Sequence, residues 1–83
     1  MVDHVVVTLV QEKMGFAGDF ELPAQLPAHE LCPMLLDTIR AMEVPGFHDW
    51  SRVRLAFNGA RIEDGDCLAD LGAWDGSILQ MDK

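Results

Sequence analysis

The chain has 83 residues, with six basic against fourteen acidic side chains and a net charge of −8 at pH 7. Domains commonly hold about 100–150 residues, so a two-domain enzyme with its own cofactor-binding half is excluded. The negative charge repels phosphate backbones, which argues against nucleic-acid or direct anionic-membrane binding and suits basic partner surfaces.

Hydrophobic residues make up 49% of the chain, enough to drive folding of one thin-cored domain over residues 1–83. Cys32 and Cys67 form no CxxC pair and are too few for a disulfide framework, so reduced thiols and a cytoplasmic setting are expected. No apolar run reaches about 18 residues, and the start Met1-Val2-Asp3-His4 lacks a basic signal-peptide region. Direct membrane insertion is therefore not expected.

In chain order, the β-branched run His4–Val10 predicts a strand, with Val5, Val7 and Leu9 on one face and Val6, Thr8 and Val10 on the other. A turn at Glu12–Gly15 leads to a second alternating segment, Gly18–Leu22, which completes a hairpin. After a connector bracketed by Pro23 and Pro27, Leu31, Met34, Leu35, Thr38, Ile39 and Met42 recur at helical spacing. They predict a helix from Ala28 to Met42, with an irregular first turn around Pro33 and with Met34 and Met42 in the core. Val44-Pro45-Gly46 stops it. A third strand is expected at Val53–Phe57, and Asn58-Gly59 signals a hairpin into Ala60–Ile62. Leu68, Leu71 and Trp74 read as apolar anchors of a short irregular segment, with Trp74 a half-buried cap. Ser77–Met81 is the closing strand. The order β-β-α-β-β-β fits a mixed α+β sheet of four to five strands with one helix across it, the two terminal strands pairing in parallel.

Chemistry-bearing residues form no strong constellation. Glu63, Asp64, Asp66 and Asp70 cluster, but an EF-hand loop begun at Asp64 would need an oxygen ligand at Leu68 and glycine at Ala69. His4, His29 and His48 lack zinc-helix spacing. Cys32 near a helix start, with His29 three residues away, is a weak thiolate candidate set against a plain packing role. No catalytic residue, cofactor or metal is expected. The loop Glu43–Arg52 carries Val44, Phe47 and Trp50. Phe47 and Trp50 are candidates for a partner-binding knob, because aromatics dominate interface hot spots; the alternative is that they fold back and seal the core. Arg52 and Arg54 are candidates for a small basic spot on one strand face, or for pairing with the many carboxylates. The expected core is Val5, Val7, Phe20, Leu22, Leu31, Leu35, Ile39, Leu55, Ile62, Leu68, Leu79 and Met81.

The segment Arg54-Leu55-Ala56-Phe57-Asn58-Gly59-Ala60-Arg61-Ile62-Glu63-Asp64-Gly65 resembles the strand–turn–strand centre of ubiquitin, and Cys67–Gly72 resembles the turn that follows it. The resemblance implies a β-grasp, ubiquitin-like fold. Conjugation or sulfur transfer would need a flexible Gly-Gly ending, whereas this sequence ends Met81-Asp82-Lys83, so a protein modifier or sulfur carrier is the disfavoured alternative. Ubiquitin's exposed isoleucine, valine and chain-linking lysine fall on Ala56, Asp82 and Ala60, which removes its apolar recognition patch. The stretch Asp19–Leu35, with Leu22-Pro23-Ala24, Pro27 and Glu30-Leu31-Cys32-Pro33-Met34-Leu35, is similar to the small EsaB/YukD proteins of bacterial type VII secretion and to the N-terminal domain of their EccD membrane subunits. That likeness implies a non-catalytic, cytoplasmic accessory or regulatory module. Its implied partners are membrane-embedded secretion subunits or their ATPase, which would bring it to the inner face of the membrane.

Overall fold

A computed structural model describes residues 3–83, so Met1 and Val2 of the expected 1–83 unit lie outside the described residues. The elements are β1 (His4–Gln11), a 3₁₀ turn (Glu12–Met14), β2 (Phe16–Pro23), α1 (Ala28–Ala41), β3 (Arg54–Phe57), β4 (Ala60–Arg61) and β5 (Ser77–Asp82). The sheet order is β2-β1-β5-β3-β4. β1 pairs antiparallel with β2 and parallel with β5, so the terminal strands are neighbours, as the element order implied. This is the β-grasp arrangement.

Alternation decides the two faces of the sheet. Val5, Val7 and Leu9 of β1, Phe20 and Leu22 of β2, Leu55 of β3, and Leu79 and Met81 of β5 are buried in one cluster with Leu31, Leu35, Leu36 and Ile39 of α1. The twelve expected core residues all belong to it. Met34 and Met42 do not: they are 36% and 56% exposed. The buried stripe of α1 runs through Ala28, Leu31, Leu35, Leu36 and Ile39, rotated toward Leu36, which leaves Met34 and Thr38 outside. Met42 sits one residue past the helix, at its C-cap.

Pro33 lies inside α1 without breaking it. Proline lacks the N–H that would bond the carbonyl of residue 29, but it sits on the exposed side of α1, where losing one helical bond costs less than in a buried turn. The start of α1 has no side-chain cap. Instead the acidic turn supplies carbonyls: Ala28 N–H donates to Asp66 O at 2.8 Å and His29 N–H to Asp64 O at 3.0 Å. This turn is thus a helix cap made of backbone. Asn58 and Gly59 both take positive φ, 52° and 78°, which the tight β3–β4 hairpin requires.

Trp74 is not the half-buried cap expected from sequence; it is 70% exposed. The turn that carries it is fixed by other groups. Trp74 N–H donates to Ser77 Oγ at 3.0 Å, and Ser77 N–H returns to Trp74 O at 2.9 Å. Backbone and hydroxyl hold the turn, so the indole is free to face solvent.

Candidate functional site

The loop between α1 and β3 turns inward. Phe47 and Trp50 are both buried, so neither presents a knob to a partner; their rings seal the end of the core. Phe47 meets Phe16 edge-on at 5.2 Å between centroids and Trp50 at 4.8 Å, and Phe16 continues to Phe20 at 6.4 Å. The Arg40 guanidinium donates to the Trp50 carbonyl, and the Lys83 ammonium lies 5.7 Å from the Trp50 ring centroid. These contacts span α1, the loop, β2 and the end of the chain. Burial of large aromatic surface explains the inward turn.

Arg52 and Arg54 lie elsewhere. Arg52 is exposed and Arg54 half-buried, and with Arg61 of β4 they line a groove of about 240 Å³ beside His29, Cys32 and Asp64. The structure therefore separates the four expected partner-binding residues into a buried aromatic pair and an accessible arginine pair. Sequence spacing misses Arg61 as their companion. The signal available was its place in the β4 arm, two residues beyond Asn58-Gly59, which folds it back beside Ala56.

The face of the sheet away from α1 is the other accessible surface. One row crosses all five strands: Ala17, Val10, Gln80, Ala56 and Arg61 are successive partners. Next to it, Asp19, Thr8 and Ile78 form a second row, in which Thr8 Oγ1 donates to Asp19 Oδ1 at 2.7 Å. On the far side, Arg54 pairs with Asp82. Ile78 is 58% and Val6 40% exposed on this face.

Chemically reactive groups are tied into structure. His29 Nδ1 is 2.9 Å from Asp64 O rather than paired with Cys32. Burial, and secondarily the Asp64 carboxylate, pushes the Cys32 thiol above its ordinary range, opposite to the lowering a nucleophile needs. Among the described residues no group of three or more His, Cys, Asp or Glu side chains could hold a metal ion. No helix of the described residues is long and apolar enough to cross a membrane.

The family model described as the WXG100 protein secretion system (Wss) protein YukD matches residues 4–81. The chain belongs to the YukD family. That match takes in the helix and every strand residue except Asp82, the last residue of β5. This chain is similar to the ubiquitin-like domain of the type VII secretion system protein EccD1 of Mycobacterium tuberculosis, with 21% identity, 99% of this chain and 100% of that one covered, and a TM-score of 0.75. It is similar to a chain of the MycP5-free ESX-5 inner membrane complex, with 20% identity and a TM-score of 0.76 over 98% of this chain and 21% of that one. A ubiquitin of Caldiarchaeum subterraneum matches at 19% identity and a TM-score of 0.63, covering 94% and 90% of the two chains. At these identities the likenesses show the ubiquitin-like β-grasp fold. The comparison with curated proteins gives no match.

Proposed function

We infer that this YukD-family chain is a non-catalytic docking module of a type VII secretion apparatus, acting as one ubiquitin-like unit in the cytoplasm. Its partners are membrane-embedded secretion subunits or the ATPase that drives them, and they bring it to the inner face of the membrane. The observation that carries this reading is the family match over residues 4–81. Support comes from the arrangement of the surface. Arg52, Arg54 and Arg61 converge on an accessible groove, and arginine is enriched where proteins meet.

Docking changes no covalent bond, so function should survive loss of any one titratable side chain outside the docking surface. The test is a chromosomal deletion of this chain with secretion of a WXG100 substrate into the medium as the readout. Loss of the substrate from the medium, restored by the intact chain and by its His48→Ala and Asp70→Ala variants, which are exposed away from the groove, supports the reading. Unchanged secretion in the deletion strain, or failure of both variants despite normal folding, overturns it.

A further inference from the structure

We propose that the open face of the sheet receives an acidic segment of a protein partner that also carries one large apolar side chain. This rests on the docking role and names the chemistry of the partner. Two ends of the face differ. At one end Ile78 and Val6 stand exposed on β5 and β1, and the turn bearing Trp74 is fastened beside them. Val6 N–H donates to Asp75 Oδ1 at 2.9 Å, and Gly76 N–H donates to Val6 O at 2.9 Å. Among the described residues, Val6 and Ile78 are thus the large exposed apolar side chains at this end of the face, the turn that carries the exposed Trp74 is fastened to Val6, and Met34 and Met42 lie on the helix side. Tryptophan and arginine are the residues most enriched among interface hot spots.

At the other end is a depression of about 250 Å³ lined by Arg54, Ala56, Arg61, Gln80 and Asp82. Ala56 is its floor, because its partners on both sides, Arg61 and Gln80, are long. Among the described residues neither Arg54 nor Arg61 comes within 4.0 Å of a carboxylate, although Asp82 is the strand partner of Arg54. In a chain of net charge −8, three of the six basic side chains, Arg52, Arg54 and Arg61, gather at this end. Their charge complements a carboxylate, which arginine binds in a planar, two-point fashion. Asp82 lies four positions along β5 from Ile78, so the apolar and cationic ends lie roughly 13 Å apart at about 3.3 Å per residue. An extended partner segment bridges that span with an apolar residue four positions from its acidic residues.

The test is nuclear magnetic resonance titration of the ¹⁵N-labelled chain with a blocked peptide, Leu-Ser-Ala-Ser-Glu-Glu, and with its Leu-Ser-Ala-Ser-Lys-Lys counterpart. The expected result is that the acidic peptide shifts amides around Val6, Ile78, Arg54 and Arg61 and that the lysine peptide does not. Arg54→Glu with Arg61→Glu should weaken the acidic peptide by about tenfold or more and recover the lysine peptide. Trp74→Ala should weaken the acidic peptide and Met42→Ala should leave it unchanged, all four side chains being outside the core, so folding is retained and is checked in the same spectra. The proposal is overturned by no shifts, by shifts on another surface, by equal binding of both peptides, or by a response to phosphatidylglycerol vesicles and not to the acidic peptide. Peptide binding by this face together with unchanged secretion on deletion would sink the secretion role alone. Full rescue of secretion by the arginine double variant would sink this face alone.

Discussion

The Phe47 and Trp50 rings lie 4.8 Å apart with their planes inclined by 53°, and together they close the end of the core that the helix leaves open. Both rings are buried, and Arg40 ties the Trp50 carbonyl back to α1. The loop is thus a structural plug, and the exposed arginines beyond it are a separate surface.

Replacing the plug should therefore cost folding before it costs binding. Trp50→Ala is expected to lower stability by about 3–5 kcal/mol, the range for removing a buried aromatic side chain. Chemical denaturation measures this. Partner capture should fall only in proportion to the unfolded fraction; capture lost by a still-folded variant would restore the knob reading.

The helix register gives a paired prediction. Leu35 is fully buried and Met34 borders solvent. Leu35→Ala should cost about 2–5 kcal/mol and Met34→Ala about 0.5 kcal/mol or less. Thermal unfolding of the two variants side by side decides it, because a reversed order would mean the stripe lies on the other side of α1.

Much of this was legible in the sequence because single residue types fixed it. Alternation in His4–Val10 and Ser77–Met81 named the inward residues of the two central strands, and Asn58-Gly59 named a hairpin that does take two positive φ values. The helix face was only partly legible. A stripe through Met34, Thr38 and Met42 and one through Leu36 are both apolar enough, and only the position of the sheet chooses between them. Trp74 was misread for a related reason. Its turn is held by Ser77 and the backbone, so the indole has no structural duty, and sequence does not reveal which of two adjacent groups holds a turn. Phe47 and Trp50 were open to both readings until the loop path was known. Arg61 reaches Arg54 only through the pairing of β3 with β4.

Asp75 is a third test. Its carboxylate accepts from the Val6 N–H at the start of the parallel β1–β5 pairing. Asp75→Ala should cost about 1 kcal/mol and speed hydrogen exchange at the Val6 amide, while leaving the middle of β1 protected. Unaltered exchange at Val6 would show that the bond does not hold that end of the strand.

Cys32 gives a pH prediction. Burial raises its pKa above the ordinary value of 9.0, so above that pH the unfolded chain loses its thiol proton first. The folded state then binds more protons than the unfolded state, and stability falls as pH rises from about 9 until the folded thiol also ionises. Cys32→Ala should flatten this slope in urea melts taken between pH 8 and pH 11. Below pH 8 the thiol should alkylate more slowly than that of a free cysteine. A slope unchanged by the substitution would assign the alkaline loss to other groups.

Non-covalent docking onto secretion subunits should be visible by capture. The tagged chain would be recovered from detergent-solubilised membranes of its own cells, and everything retained would be released under reducing, denaturing conditions and identified by mass spectrometry. Membrane secretion subunits or their ATPase are the expected catch, released intact and unmodified on denaturation. Proteins that remain attached to the chain through its C-terminal carboxyl group would contradict it and would make the chain a modifier.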